Sequence, residues 1–331
     1  MNLVETRTLG NDFKVSAVGL GCMGFSHGYG EPMDEQEAIK NIRAAYDMGY
    51  RFFDTAEIYQ GTNPDGSTNY NEELVGKALA DVRDDVVIAT KFGIAAHEGN
   101  GLKVDSSPET IRKSVEGSLK RLGTDHIDLY YQHRIDPNVE PEIVAKVMQE
   151  LINEGKITHW GISEANEDYL RRANAVCKVT AVQNRYSMMY RDYEALFPVL
   201  EELNVGLVAF SPLANGLLTG KMTKTKFGKA DLRSNMPQFT EEAQKQNQKL
   251  IKLLEDLAKQ HNATPAQISL AWMINKKPYI VPIPGSRHLN RMQDNLNAGE
   301  IKMSPEEIAK IDAILDKIPM SEVFGGSKIK K

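Results

Sequence analysis

Residues 18–24 read VGLGCMG. Within them, Gly19-x-Gly21-x-x-Gly24 has the spacing of the glycine fingerprint that seats a dinucleotide pyrophosphate on a helix N-terminus in doubly wound α/β folds. The fold turns on whether this stretch is that fingerprint. In the fingerprint the third glycine lies within the helix. Here Gly24 is followed by FSHGYGEP, and Gly28, Gly30 and Pro32 do not begin a helix. Helical periodicity starts only near Asp34. The acidic residue that ends the next strand-like run, Asp54, comes 30 residues after Gly24, whereas the fingerprint expects about 20. The stretch is therefore read as a glycine-rich strand-to-helix connection.

Outward from it, short β-rich runs alternate with helix-period segments. The strand-like runs are VSAVGLG (15–21), RFFD (51–54), VVIAT (86–90), IDLYY (127–131), HWGIS (159–163), VTAVQN (179–184), GLVAFS (206–211) and YIVPIPG (279–285). Helical patterns are read at 34–48, 71–79, from Ser107 and Pro108 through Leu122, at 140–154, 169–176, 193–203, 241–261 and 265–275. The apolar stripes run through Ala38, Ile42 and Ala45; through Ile111, Val115, Leu119 and Leu122; and through Ile143, Val147 and Leu151. Capping boxes are expected at Thr264-x-x-Gln267 and Ser304-x-x-Glu307, the latter opening a C-terminal helix whose Ile308, Ile311 and Leu315 pack on the body of the protein. Alternating strands and helices imply parallel strands with right-handed crossovers. Eight such units predict an α/β fold, a (β/α)8 TIM barrel, as a single domain spanning 1–331. The extra C-terminal helix and long loops at the C-terminal face, 60–73 and the polar stretch 215–238, complete it. Pro282 and Pro284 argue against the eighth strand on propensity alone.

The composition is that of an ordinary globular protein, 41% hydrophobic and 26% charged. A net charge of -5 excludes a generic nucleic-acid binder. No run approaches the roughly 18 apolar residues of a membrane span, so no membrane partner is expected. The two cysteines, Cys22 and Cys177, lack metal-site spacing, and no metal is expected. Two thiols and an N-terminus without an apolar signal core point to the cytoplasm.

In such a barrel, chemistry sits where strands end at the C-terminal face. Asp54 ends the second strand and Tyr59 follows it; Lys91 ends the third; His133 follows the fourth. Together they suit carbonyl reduction. Hydride delivery to a carbonyl carbon leaves an alkoxide that needs a proton. A tyrosine supplies it if a neighbouring lysine lowers its pKa. An aspartate holds that lysine, and a neutral histidine donates a hydrogen bond to the carbonyl oxygen.

The segments FFDTAEIY, ATKFG, YYQHRID, WGISE, AFSPLANGLLTGK and VPIPGSR occur in this order, and from about Arg7 to about Asn297 the chain resembles the aldo-keto reductase family. The resemblance implies a (β/α)8 barrel that binds NADPH across its mouth without a doubly wound domain, and reduction of aldehydes or ketones as small-molecule substrates. It implies Tyr59 as proton donor with Asp54, Lys91 and His133. Ser163 and Gln183 would hold the nicotinamide carboxamide, and Phe210 would stack on the ring. Ser211, Leu213 and Asn215 would follow the pyrophosphate. Gly285, Ser286, Arg287 and Arg291 would take the adenosine 2′-phosphate, and Asp294 and Asn295 the adenine. Two arginines after the last strand suit a dianionic phosphate, hence NADPH over NADH. Met23, Phe25, Phe92 and Arg134 are expected to wall the substrate pocket. Arg134 is read as a structural salt-bridge partner ahead of a ligand for a substrate carboxylate. Glu164 stands where many members have asparagine. Two rival readings accompany this one: a regulatory subunit that binds NADPH with weak turnover, and a Schiff-base lyase using Lys91.

Overall fold

The computed structural model describes residues 5–98, 101–222, 225–228, 230–324 and 328–329. Eight parallel strands form its centre: β1 (Leu20–Gly21), β2 (Phe52–Asp54), β3 (Val87–Phe92), β4 (Ile127–Gln132), β5 (Ile157–Ser163), β6 (Ala181–Arg185), β7 (Gly206–Phe210) and β8 (Ile280–Pro282). Each pairs with its chain neighbour in an unbroken sheet, β1 to β8 in order. The ring closes where Gly19 N donates to Pro282 O at 2.9 Å and Gly21 N to Pro284 O at 3.4 Å. This is the closed (β/α)8 barrel, not a doubly wound sheet.

The closing seam explains both oddities of the sequence. Pro282 and Pro284 accept from β1 through their carbonyls, while Ile283 N, between them, donates to Ala209 O of β7 at 3.0 Å. The missing N–H groups thus cost no ladder bond with β7. Gly19 and Gly21 of VGLGCMG are there for packing. A Cβ on Gly19 would lie 2.7 Å from the Phe52 ring, and one on Gly21 would lie 2.7 Å from Ile283 O. Their spacing follows the seam rather than a pyrophosphate. Gly21→Ala is expected to lower stability by ~1–3 kcal/mol through overpacking of this seam, read as a lower urea midpoint with an unchanged slope.

Strand alternation divides the core. Inward residues Phe52, Ala89, Leu129, Tyr131, Ala181, Val208 and Val281 fill the barrel together with Leu9, Phe13 and Val15. The last three belong to an antiparallel hairpin, Thr6–Leu9 with Phe13–Ser16, that plugs the N-terminal end. Val15 and Ser16 therefore belong to the plug, and the first barrel strand is shorter than the run 15–21. Outward residues such as Phe53, Ile88, Tyr130, Ile162 and Val182 pack under the helices.

Helix α1 (Glu35–Met48) buries Ala38, Ile42 and Ala45 as its stripe predicts, and α2 is Asn71–Leu79. Helix α3 (Pro108–Leu122) starts on a Ser107 cap. In α4 (Pro141–Asn153) the buried face is Val144, Val147, Met148 and Leu151, while Ile143 is 45% exposed. The expected stripe thus holds at Val147 and Leu151, and Val144 replaces Ile143 in its first turn. Helices α5 (Glu167–Val176) and α6 (Phe197–Leu203) follow. The long helix read at 241–261 is two, α7 (Glu241–Gln246) and α8 (Gln248–Gln260), parted at Asn247. There the buried Asn247 side chain bonds Ser321 and so leaves the solvent face of the pattern. The Thr264 box opens α9 (Pro265–Lys276) complete. After α10 (Leu289–Asn297), α11 (Pro305–Leu315) buries Ile308, Ile311 and Leu315. Ser304 caps it, but the box is half made, because Glu307 turns to His261 Nε2 at 2.6 Å. Two loop hairpins, Gln60–Thr62 with Thr68–Tyr70 and Ile94–Glu98 with Gly101–Val104, rise at the C-terminal face.

Candidate active site

Inward parity at the strand tops assembles the site. Asp54 lies one pleat above Phe52 and Lys91 one pleat above Ala89, so both face the barrel axis. Lys91 is fully buried, and its Nζ donates to Asp54 Oδ1 at 2.5 Å and to Thr55 O at 2.7 Å. It reaches the Tyr59 hydroxyl at 3.5 Å. Gln183 Nε2 donates to the other Asp54 oxygen at 2.7 Å. The His133 ring meets the Tyr59 ring edge-on, centroids 5.7 Å apart at 83°. All four residues predicted from strand ends converge.

The electrostatics fit a proton donor. Burial alone would pull the Lys91 ammonium down, but Asp54 and Tyr59 together outweigh it and hold it above its ordinary value. A lysine so held is charged and poorly suited to Schiff-base attack, which needs the free amine. Burial pushes the Tyr59 phenol up, with Lys91 and Arg134 pulling it back. The lysine acts in the expected sense, yet burial wins, so the phenol keeps its proton at neutral pH.

Tyr59 sits beyond β2 in a loop pinned at several points. Its carbonyl accepts from Asn71 N and from Ser26 Oγ, each at 3.1 Å. Asn71, wholly buried, accepts from Thr55 Oγ1 at 2.6 Å and donates to Ser26 Oγ at 2.7 Å and Cys22 O at 3.0 Å. Glu57 ties the same loop to Gly93 N and to Ser114 Oγ, each at 3.2 Å, and burial pushes its carboxyl up to about 7. The His27 ring stacks on Tyr59 at 6.1 Å. Sequence reasoning missed Ser26, His27, Glu57 and Asn71. The only signal was their place in, or just after, the two connections that leave β1 and β2 at the C-terminal face.

The residues predicted to hold a cofactor line the same face. Ser163, Gln183 and Phe210 share the inward parity of β5, β6 and β7. Ser211, Ala214 and Asn215 all have φ between 46° and 58°. Three non-glycine residues in the left-handed region within five positions mark a strained loop of the sort found where backbone must meet a ligand. The Asn215 side chain is taken by Tyr29 Oη at 3.0 Å and Gln238 Nε2 at 3.3 Å, which latches the loop after β1 to the loop after β7. Arg287 donates through Nε to Gly24 O and through Nη1 to Glu31 O at 3.0 Å. Its Nη2 is buried with no acceptor among the described residues, the orphan expected if a ligand oxygen completes it. Gly285, Ser286 and Arg291 flank it at the approach to α10, Arg291 exposed. Asp294 is half-buried and Asn295 is buried on the helix. The strained loop and the unmet Nη2 of Arg287 fit a phosphate-bearing cofactor.

Two pocket residues are corrected. Phe92 follows inward Lys91 and so points outward, packing at 5.0 Å on Tyr130. Phe25 turns under in a short helical turn (Met23–Phe25) and joins the outer core. Met23, half-buried, stays beside Gly28 at the mouth. Arg134 makes the structural contact: its Nε lies 3.4 Å from Glu164 Oε2, and its Nη1 donates to His133 O at 2.6 Å and Ser163 Oγ at 3.2 Å.

The aldo/keto reductase family model matches residues 17–316. The chain belongs to that family. This aldo/keto reductase is 39% identical over 316 residues to a probable aldo-keto reductase 1 of Glycine max, covering 95% of this chain and 88% of the relative. Its fold is similar to that of a glycerol dehydrogenase from Gluconobacter oxydans, with a TM-score of 0.83 at 29% identity, covering 98% and 99% of the two chains. An aldo/keto reductase from Klebsiella pneumoniae, solved in complex with NADP and acetate, gives 0.69 at 26% identity over 99% and 100%. Membership makes this chain an oxidoreductase of carbonyl compounds that works with a nicotinamide cofactor. Among the described residues no helix is long and apolar enough to cross a membrane.

Proposed function

We propose that this aldo/keto reductase reduces aldehydes and ketones to alcohols with NADPH, Tyr59 donating the proton. The observation that carries the reading is the buried Lys91 ammonium, bonded to Asp54 and 3.5 Å from the Tyr59 hydroxyl. Bound NADPH supplies the hydride for the carbonyl carbon. The carbonyl oxygen then takes the Tyr59 proton, and the phenolate left behind is stabilised by Lys91, whose charge Asp54 fixes in place. His133, against the Tyr59 ring, orients the carbonyl by hydrogen bonding. Ser163, Gln183 and Phe210 would hold the nicotinamide, and Ser211, Leu213 and the backbone of Asn215 the pyrophosphate. Gly285, Ser286, Arg287 and Arg291 would take the 2′-phosphate, and Asp294 and Asn295 the adenine. The NADP carried by the Klebsiella pneumoniae relative supports this choice of cofactor.

The test is a fluorescence titration with NADPH and NADH, followed by NADPH oxidation with a panel of aldehydes. Tight NADPH binding with aldehyde-dependent oxidation is expected. Binding without oxidation by any aldehyde or ketone would sink the reductase reading. Arg291→Ala is expected to weaken NADPH ~10- to 100-fold, the worth of one charge-assisted contact, and to change NADH little. An equal loss for both would remove Arg291 from the 2′-phosphate site.

A further inference from the structure

Two arginines crowd the barrel mouth where one carboxylate faces them. Arg185 ends β6 two residues after Gln183, so the alternation that turns Gln183 inward turns Arg185 inward one pleat nearer the mouth. It is 5% exposed. Its Nη2 lies 3.4 Å from Glu164 Oε1, and its guanidinium sits 5.2 Å from the centroids of both the Phe210 and Tyr190 rings. Its Nη1 is buried and meets no acceptor among the described residues.

Glu164 also serves Arg134, which is bonded to Ser163 and to the backbone of His133. One carboxylate thus answers two guanidinium groups, leaving a net positive charge in a largely desolvated place. Burial pulls Arg185 below its ordinary value, but a guanidinium stays protonated in proteins. The cluster is fixed: Glu164 is held at φ 54°, in the left-handed region, by the bond of its N–H to Gln183 O at 3.0 Å. A buried charged donor without an acceptor costs free energy until one arrives.

We propose that this enzyme takes carbonyl substrates that also carry a carboxylate, and that Arg185 receives that carboxylate at the mouth. The inference rests on the reductase reading above. The planar fork of arginine matches a carboxylate, and Phe210 and Tyr190 flank the fork with apolar faces. A neutral substrate leaves Nη1 unmet.

The experiment compares NADPH-dependent reduction of 4-carboxybenzaldehyde and 4-methylbenzaldehyde by the wild type, Arg185→Met and Arg185→Lys. The wild type is expected to prefer the carboxylate through KM. That preference should fall ~10- to 100-fold in Arg185→Met and be partly kept in Arg185→Lys. Benzoate, titrated against the wild type by intrinsic fluorescence, should bind more tightly than benzamide, which needs no variant to fold. Equal kcat/KM for the two aldehydes in the wild type overturns the proposal. So does a preference that survives in Arg185→Met, including the case where that variant loses NADPH instead. If neither aldehyde is reduced, the reductase reading fails, and the benzoate titration decides the carboxylate site by itself.

Discussion

Replacing Tyr59 with phenylalanine is expected to cut aldehyde-dependent NADPH oxidation by ~10²- to 10⁴-fold, the contribution of a positioned proton donor. Cofactor affinity should stay nearly intact. The substitution removes one oxygen and keeps the ring, so the edge contact with His133 and the stack with His27 survive. The backbone anchors of the loop, Tyr59 O to Asn71 N and to Ser26 Oγ, do not involve the lost atom. A loss confined to kcat is therefore chemical and not structural. The same phenol sets the pH behaviour. Because burial raises its pKa, it is protonated throughout the neutral range, and reduction should be flat there. Alcohol oxidation needs the phenolate and should climb as pH rises toward the tyrosine value. Rates in both directions across neutral and alkaline pH check this; oxidation that declines with rising pH would remove Tyr59 from the proton-transfer role.

Lys91→Met is expected to damage both folding and chemistry. The lysine and Asp54 are 0% and 4% exposed at their side chains. Removing the cation leaves a carboxylate in the barrel with Gln183 as its one side-chain donor among the described residues. Breaking a buried pair in this way costs ~3–5 kcal/mol. Turnover should fall as well, because nothing then stabilises the phenolate. The double variant Lys91→Met with Asp54→Asn separates the two effects. Neutralising the stranded carboxylate should recover most of the stability, while activity stays lost. Urea unfolding and steady-state assays on the three proteins provide the comparison. A double variant as unstable as Lys91→Met alone would show that the pair is not what the lysine contributes to stability.

The barrel was legible because its strands carry their own periodicity. The runs RFFD and VVIAT were found as strands, and in the structure FFD turns Phe52 inward and Phe53 outward while ATKF places Lys91 inside. Parity also exposes the misreadings. Phe92 was assigned to the pocket although it neighbours an inward lysine, and a one-residue step in a strand reverses the face. Arg185 escaped notice because the sixth strand was read to stop at Asn184; one more residue at the same parity as Gln183 would have turned it inward. The hairpins at Gln60–Thr62 with Thr68–Tyr70 and at Ile94–Glu98 with Gly101–Val104 were missed although each pairs locally. Their strands are only three to five residues long, too short for a clear alternation, and the turn residues Asn63, Pro64, Asp65 and Gly66 were the one local signal at the first. The N-terminal plug hid for another reason: Leu9, Phe13 and Val15 are apolar because they enter the barrel from below, a fact of tertiary packing. Pro282 and Pro284 argue against the eighth strand on propensity, yet the count of eight holds, because closure of the ring turns their carbonyls into the acceptors that Gly19 and Gly21 require.

That seam has a consequence during synthesis. β8 is the last barrel strand to leave the ribosome, and until it meets β1 it is an outer edge. An exposed edge with regular N–H and C=O groups is a template for pairing with another chain. Pro282 and Pro284 remove two donors from this one, so a ladder with a second molecule would lack two of its bonds. The glycines of β1 pair with it because they bring donors where it has only acceptors and have no side chains to keep the strands apart. The residues that close the barrel thus also make its last edge a poorer template for a second chain.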